Sequence, residues 1–335
     1  MIKIFLLLTI FLFNGVALSQ PYPVSDHYDG KNFSNPNGVE VESFWRLIQW
    51  LLTSSRVPWP DHVANKNYPL LQLAENKNAG ITFINQSTFL IQVKGLNIIT
   101  DPVFSKRVSP LSFIGPKRVR EPGLAFELLP KIDVVLISHN HYDHLDIETL
   151  KKIDKKFHPL FLVPLGDKGW LKKEGLFNVT EMDWWEEVKV KDVSFTFGPA
   201  QHWSGRHLWD KNECLWGSFM IDMESAKIFF AGDSGYGNHF LDIKNRLGSP
   251  DLALLPIGAY LPRWFMHPHH MDPEEAVKAH IDLGAKRSIG MHFGTFQLTD
   301  EGMDEPVRDL TLSLSKMKIV PDRFMALDHG QSFSF

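Results

Sequence analysis

Ser138-His139-Asn140-His141-Tyr142-Asp143-His144 is the stretch of sequence that decides the fold. The apolar run Ile132 to Ile137 precedes it and predicts a buried β-strand, and Ile147 to Ile153, which follows, has the spacing of a helix. The stretch is therefore a loop between a strand and a helix. It carries three histidines and one aspartate within six residues.

Imidazole and carboxylate groups are the side chains that bind borderline divalent cations. Four of them at the spacing H-x-H-x-D-H are more than one cation uses comfortably, so we expect two metal ions. The alternative is that these are ordinary polar loop residues, as single loop histidines usually are. A polar loop has no reason to keep this arrangement, and the stretch therefore predicts a binuclear metal centre.

Composition places the chain among soluble globular proteins. Its 335 residues suffice for one large domain or two smaller ones, with 44% apolar and 22% charged residues. The net charge of −4 and the isoelectric point of about 6.4 give no basic field, so we expect no nucleic-acid partner. Cys214 is the only cysteine, which excludes a disulfide within this sequence.

The first residues have the pattern of a secretory signal peptide, predicted for residues 1–19. Lys3 precedes the apolar run Ile4 to Phe13, and Ala17-Leu18-Ser19 is a small-x-small cleavage site. Because this run is too short to span a bilayer, we expect a secreted or periplasmic protein. An uncleaved membrane anchor is the alternative.

The following segment predicts an extended arm and then a helix. Gln20 to Gly38 is rich in proline, glycine and polar residues and should lie over the domain. Val41 to Leu52 has a wide apolar stripe at helical spacing. This helix either packs on the core or docks on a membrane, where Arg46 and Arg56 would meet lipid phosphates.

Polar candidate ligands follow several of the predicted strands. His202, Asp233 and His292 each come just past the end of an apolar strand, as His139 does. Side chains at strand ends meet on one edge of a sheet, where a rigid scaffold can hold distant ligands together. Strands and helices alternate in both halves of the chain, which predicts an α/β fold, a four-layer αββα sandwich of two packed sheets flanked by helices.

The loop, the later His, the Gly-Asp and the final His together resemble the metallo-β-lactamase-fold hydrolases. Longer matches, over roughly residues 30 to 330, are similar to the N-acyl-phosphatidylethanolamine-hydrolysing phospholipases D. They include Asp101-Pro102-Val103-Phe104, Leu215-Trp216-Gly217-Ser218, Phe229-Phe230-Ala231-Gly232-Asp233 and Pro262-Arg263-Trp264-Phe265-Met266. The resemblance implies a metallo-β-lactamase-fold catalytic domain at residues 80–335, after an arm and amphipathic helix at residues 20–79.

The resemblance also implies the site residues and two Zn²⁺ ions. One zinc ion would be held by His139, His141 and His202, the other by Asp143, His144 and His292, with Asp233 between them. A histidine at position 141, where the iron-binding relatives have a glutamate, favours zinc. Asp233 and His270 are the expected catalytic residues, although His270 also precedes a predicted helix and is equally consistent with an exposed loop residue.

Three further expectations concern the surroundings of the metals. Asp101 is the best candidate to orient a ligand histidine, with His329 behind it. Asn85-Gln86-Ser87-Thr88 departs from the Gly-His-Ser/Thr pattern of the family and leaves the contacts of that turn open. An apolar groove for lipid is expected from aromatic and methionine residues near the ligands, namely Trp184, Trp185, Trp203, Tyr260, Trp264, Phe265 and Met266.

The implied reaction is attack by water on the phosphodiester of N-acyl-phosphatidylethanolamine, which releases an N-acylethanolamine and phosphatidic acid. The partners would be a phospholipid substrate, a membrane surface and, by resemblance alone, a second copy of the chain in a homodimer. One alternative is another hydrolase of the same fold, such as a lactonase, a β-lactamase or another phosphodiesterase. The other is a zinc-binding membrane protein without turnover.

Overall fold

A computed structural model describes residues 22–40, 43–71, 79–93, 95–207 and 209–335, apart from the side chain of Phe44. The predicted signal peptide, residues 1–19, lies outside the described residues. Among the residues described, no helix is both long and apolar enough to cross a bilayer.

Two seven-stranded sheets organise the described residues. The first contains, in spatial order, Ser332–Ser334 (β14), Ala79–Asn85 (β1), Thr88–Val93 (β2), Leu96–Thr100 (β3), Val134–Leu136 (β4), Leu160–Pro164 (β5) and Val179–Met182 (β6). The second contains Phe324–Met325 (β13), Arg287–Met291 (β12), Leu252–Pro256 (β11), Lys227–Phe230 (β10), Ser218–Asp222 (β9), Val193–Gly198 (β8) and Glu187–Val190 (β7).

The two sheets share one pattern of strand directions. In the first sheet the pairs from β14 to β3 are antiparallel and those from β3 to β6 are parallel. In the second sheet the pairs from β7 to β10 are antiparallel and those from β10 to β13 are parallel. Each half of the fold therefore combines an antiparallel meander with a parallel region, and the parallel strands carry the helical crossovers.

Seven α-helices accompany the sheets within the described residues. They are Phe44–Thr53 (α1), Ile147–Phe157 (α2), Asp167–Lys173 (α3), His239–Leu247 (α4), Arg263–Met266 (α5), Pro273–Leu283 (α6) and Glu305–Lys316 (α7). Helix α6 is the helix predicted after His270; Asp272 caps it, Pro273 is at its first position, and Glu275 completes a capping box.

The hydrophobic core lies between the layers, because alternate residues of a strand face opposite sides. In β4, Val134 and Leu136 belong to the cluster shared with the second sheet, which includes Phe197 and Phe229. Val135 belongs instead to the cluster under α2 and α3. Apolar residues of α6 and α7 cover the other side of the second sheet, so the predicted αββα sandwich is confirmed.

The N-terminal arm is part of this packing. Tyr28 and Phe33 are buried in the main core cluster, and Tyr22 packs against it. The hydroxyl of Tyr22 donates to Glu181 on β6 at 3.1 Å. The arm is therefore fixed to the domain by buried apolar contacts as well as polar ones.

Candidate metal centre

The histidine-rich loop is held between β4 and α2 by the cap of that helix. The Asp146 side chain accepts from the backbone N–H of Thr149 at 3.3 Å and from that of Ser105 at 2.9 Å. From the loop between β8 and β9, Arg206 donates to the carbonyl oxygens of Asn140 and Leu145 at 2.7 and 2.9 Å. These bonds fix the histidine-rich loop at Asn140 and at its end next to α2.

Three imidazoles form the first group of candidate ligands. Nε2 of His139 lies 2.8 Å from Nδ1 of His141, which lies 3.2 Å from Nε2 of His202. His202 follows β8, so the second sheet brings it to a loop that comes from the first sheet. These are the residues predicted for one zinc ion.

Two carboxylates and two imidazoles form the second group. Nε2 of His292 lies 3.0 Å from Oδ2 of Asp143 and 3.1 Å from Oδ2 of Asp233. Nε2 of His144 lies 3.3 and 3.1 Å from the same two oxygens. The Oδ2 atom of Asp233 is also 4.0 Å from Nε2 of His202, which places Asp233 between the two groups.

A glycine allows Asp233 to occupy this position. Gly232 has a φ of 61°, and a Cβ there would lie 2.6 Å from the Cβ of Ser138 and 2.8 Å from the carbonyl oxygen of Gly217. Any larger residue would push the end of β10 away from the histidine-rich loop. Gly232 is therefore needed for steric reasons, and Asp233 is needed as a candidate ligand.

Hydrogen bonds on the far side of three rings fix their orientation. Asp101 is completely buried and lies 2.6 Å from Nδ1 of His144, as predicted. The hydroxyl of Ser138, which donates to Asp101, lies 2.9 Å from Nδ1 of His139. Nδ1 of His202 donates to the carbonyl oxygen of His269 at 2.8 Å. Each of these contacts leaves the Nε2 lone pair facing the site.

The donor set fits divalent cations. Tetrahedral ligands at the roughly 2.0–2.1 Å of zinc–nitrogen and zinc–oxygen bonds lie roughly 3.3 Å apart. The separations within both groups are close to this value. Nε2 of His144 and Oδ1 of Asp233 are also buried without a hydrogen-bond partner in the described residues. A buried polar atom without a partner is costly, and a bound cation would satisfy both.

Electrostatics favour the same conclusion. Burial lowers the pKa of His139 well below its usual value and that of His202 to about 4, so these rings are neutral at pH 7 and can bind metal. Burial also opposes a charge on His144 and His292. Asp233 and neighbouring carboxylates outweigh it, raising the pKa of His144 well above its usual value and that of His292 to about 9. The buried carboxylates thus attract positive charge, which bound cations would supply in place of these protons.

His270 lies at the same centre and is not an exposed loop residue. Its side chain is only 12% exposed, and its Nδ1 lies 3.9 Å from Oδ2 of Asp233. Arg263 fixes the local backbone by donating to the His270 carbonyl oxygen at 2.8 Å. The exposed-loop interpretation is therefore wrong for His270, although His267 nearby is 60% exposed.

A cavity of about 370 Å³ opens from the ligands toward α1. Apolar residues form much of its wall, and the side chains of His207 and Lys211 also line it. The apolar wall consists of Leu47, Trp50, Trp203, Phe265, Met266 and Leu298. Sequence reasoning missed Leu47, Trp50 and Leu298 as lining residues, although the helical stripe of α1 was visible.

The predicted aromatic groove is only partly correct. Trp203, Phe265 and Met266 line the cavity, whereas four other predicted residues do not. Their side chains pack elsewhere: Trp184 donates to the carbonyl oxygen of Trp216, Trp185 lies under Arg246, Tyr260 donates to Asp309, and Trp264 lies under Arg46. Proximity in sequence to a ligand did not predict which of these side chains face the cavity.

Helix α1 packs on the domain through one face, which confirms one of its two interpretations, whereas docking on a membrane stays a prediction. Leu47 and Trp50 pack against Phe265 and Met266 of α5. Trp45 and Leu52, on other faces, are 77% and 81% exposed. One face of the helix thus completes the cavity wall, and the rest presents apolar side chains to the surroundings.

The comparisons with known proteins agree with this geometry. The model of the β-lactamase superfamily domain matches residues 96–293, from β3 to just past His292. The chain belongs to the β-lactamase superfamily. Its fold is the metallo-β-lactamase fold, and some of the proteins that it is similar to are named metal-dependent hydrolases.

The alignments with two superfamily relatives cover the greater part of this chain. A Caenorhabditis elegans protein named N-acyl-phosphatidylethanolamine-hydrolyzing phospholipase D 1 is 34% identical over 90% of this chain and 92% of its own length. The mitochondrial Saccharomyces cerevisiae protein of that name is 42% identical over 69% of this chain, which spans about half, 51%, of the yeast protein. The solved metallo hydrolase Igni18 from Ignicoccus hospitalis has a TM-score of 0.58 at 23% identity, over 77% of this chain and 98% of its own, and supports the fold alone.

Proposed function

We propose that this protein is a binuclear-zinc phosphodiesterase that hydrolyses N-acyl-phosphatidylethanolamine to an N-acylethanolamine and phosphatidic acid. The observation that carries the proposal is the opening of two adjoining ligand groups, joined at Asp233, into a cavity with an apolar wall. A polar reaction centre beside an apolar wall suits a substrate that has a phosphodiester next to acyl chains. The names of the two similar phospholipases support this substrate.

Bound divalent cations would supply Lewis acidity to the phosphoryl oxygens and would lower the pKa of a water molecule toward neutrality. His139, His141 and His202 would hold one ion. Asp143, His144 and His292 would hold the other, with Asp233 in contact with both. The rigid hydrogen bonds behind the rings mean that the ligands need little reorganisation on binding.

The other side chains of the site have separate roles in this reaction. Asp233, which is buried between the two ligand groups, would also accept a proton from the attacking water. His270 would donate a hydrogen bond to a non-bridging phosphoryl oxygen. The wall formed by Leu47, Trp50 and Phe265 would bind an acyl chain and exclude water from the ester.

A membrane surface is the proposed source of the substrate. Trp209, which is 70% exposed, stacks on His207 of the cavity with ring centroids 4.9 Å apart. Trp45 and Leu52 of α1 are exposed as well, and apolar side chains of this kind enter a lipid headgroup region. A Trp45→Ser, Leu52→Ser variant should sediment less with phosphatidylcholine vesicles than the wild type, and equal sedimentation would contradict this part of the proposal.

The function is tested by metal analysis combined with product identification. Purified protein should contain two zinc ions per chain and should release N-acylethanolamine from micellar N-acyl-phosphatidylethanolamine, with activity lost on chelation and restored by zinc. A panel of lactones, β-lactams and cyclic nucleotides identifies another hydrolase of this fold if one of them is turned over faster. Two bound zinc ions without turnover of any ester would instead indicate a non-catalytic zinc protein.

A further inference from the structure

Gln86 is a buried polar residue in the turn between β1 and β2. It is 1% exposed and has a left-handed φ of 44°. Gly, Asn and Asp are the residues that usually occupy such positions in a two-residue hairpin turn, so a glutamine there is conformationally costly. Burying its amide adds a desolvation cost unless the amide is hydrogen-bonded. Both costs require compensation from the contacts that this residue makes.

Those contacts reach two of the three loops that supply the second ligand group. Nε2 of Gln86 donates to Oδ2 of Asp143 at 2.9 Å. The backbone carbonyl oxygen of Gln86 accepts from the N–H of His292 at 2.8 Å. Its own N–H donates to the hydroxyl of Thr295 at 3.0 Å, and that hydroxyl also contacts His329 at 2.9 Å. One residue of the β1–β2 turn therefore connects two candidate ligands that are 149 residues apart in sequence.

The backbone of His292 needs such support. Its φ of 64° lies in the left-handed region, where non-glycine residues are uncommon. The hydrogen bond from its N–H to Gln86 helps to hold this conformation, which directs the ring toward Asp143 and Asp233. The amide of Gln86 at the same time selects one orientation of the Asp143 carboxylate.

We propose that Gln86 is a positioning residue for the metal ion held by Asp143, His144, His292 and Asp233. This inference rests on the proposed metal centre and adds to it a residue that is not itself a ligand. Gln86 acts through Asp143 and His292: its side chain holds the carboxylate, and its carbonyl oxygen holds the histidine backbone.

The amide group suits this role better than its charged or titratable relatives. A glutamine side chain is neutral at every accessible pH and offers an N–H to the carboxylate without competing for the cation. A glutamate at position 86 would place a third carboxylate against Asp143 and Asp233, and repulsion or extra ligation would follow. A methionine would keep nearly the same length and volume but would leave Asp143 without this donor.

The experiment compares Gln86→Met and Gln86→Glu with the wild type and with Gln92→Met. Gln92 is a matched control, because it lies on β2 and its side chain contacts Asn97 at 3.4 Å, away from the ligands. Stepwise Zn²⁺ and Co²⁺ affinities are measured by chelator competition, and the visible spectrum of each cobalt-loaded protein reports ligand geometry. Gln86→Met should weaken one of the two sites by about 10–100-fold and change its cobalt spectrum, while the other site keeps its affinity.

Gln86→Asn guards against a folding defect. Asparagine tolerates the left-handed turn conformation, but its amide is one methylene shorter and does not reach Asp143. It should reproduce the selective loss at one site with near-native thermal stability of the metal-free protein. If the wild type, Gln86→Met and Gln86→Asn bind two zinc ions equally well and give the same cobalt spectra, the proposed role of Gln86 is overturned, but the proposed function is not. A wild-type protein that binds no metal would overturn the proposed function instead.

Discussion

The side-chain oxygen of Asn35 accepts a hydrogen bond of 2.8 Å from the backbone N–H of the candidate ligand His202. The same oxygen accepts the indole N–H of Trp216 at 3.0 Å, and Asn35 itself is buried. Its Nδ2 donates to the carbonyl oxygen of Val39 at 3.1 Å. The N-terminal arm, which precedes the first strand, thus holds the backbone of a residue in the first ligand group.

Asn35→Leu should destabilise the protein and weaken the metal site that contains His202. The variant has a similar volume but leaves the buried His202 N–H without its acceptor, which costs on the order of 1–3 kcal/mol. Urea unfolding measures this loss, and zinc retention during dialysis against a chelator measures the effect on the site. Ser34→Ala, at an exposed neighbouring position, is the control. Full retention of both zinc ions by Asn35→Leu would show that the arm does not support the site.

Much of the candidate metal centre was predictable because its signals are local. The H-x-H-x-D-H spacing concentrates four ligands on one loop, and His202, Asp233 and His292 each follow a strand whose apolar run is visible in sequence. The sequence did not predict that Asn35 and Gln86 hold candidate ligands in place. Their contacts join segments far apart in the chain and follow no periodicity, and only the departure of the Gln86 turn from the family pattern drew attention to that position.

The strands and helices likewise differ in how strongly the local sequence indicates them. The strand predicted within Ile132 to Ile137 is found as β4, because its burial on both faces gives a continuous apolar run. The three-residue strand β14 was missed, since Ser332–Ser334 is too short to show an alternation and forms only by pairing with β1. Helix α7 was also missed, although its apolar residues Leu310 and Leu314 are correctly spaced for one buried face.

His270→Ala should lower kcat while leaving both metal ions bound. The residue lies 3.9 Å from Asp233 but is not needed to complete either ligand group, and loss of one positioned donor typically costs about 10²–10³-fold in kcat. Steady-state kinetics with micellar substrate and zinc analysis of the same sample check both statements. His270→Gln, which retains a donor, should recover part of the rate, and His267→Ala at an exposed position should be near wild type. Unchanged turnover of His270→Ala would remove this residue from the mechanism.

His27 attaches the N-terminal arm to Asp183 of the domain. Its Nδ1 lies 2.6 Å from Asp26 and its Nε2 lies 2.7 Å from Asp183, while its ring stacks on Trp184. Burial opposes a charge on the ring, but the hydrogen bonds to Asp183 and Asp26 outweigh it and raise the pKa of His27. The charged ring is therefore preferred in the folded protein over the unfolded chain.

His27→Gln should consequently destabilise the protein most at mildly acidic pH. A raised folded pKa contributes stability that is fully present below the unfolded value of about 6.5 and is lost as pH rises through the folded pKa. The difference in the free energy of unfolding between wild type and variant should shrink from pH 5.5 to pH 9, as measured by urea titration at each pH. Asp26→Asn tests the more exposed partner and should show a smaller effect. A difference that is constant over this range would mean that folding does not shift the pKa of His27.

Trp50 connects the proposed acyl-chain wall to a loop of the domain. Its ring stacks on Phe265 with centroids 5.2 Å apart, and its indole N–H donates to Asp300 at 3.1 Å. Trp50→Ala removes an apolar surface whose contact with substrate is worth about 1.5–3 kcal/mol, so KM for long-chain N-acyl-phosphatidylethanolamine should rise about tenfold or more. The metal ligands are untouched, and kcat should change little. Trp50→Phe keeps an aromatic side chain in the wall but loses the bond to Asp300, which separates wall contact from helix attachment. Equal effects of Trp50→Ala on short-chain and long-chain substrates would contradict an acyl-binding role, because a wall that binds the chain must discriminate by chain length.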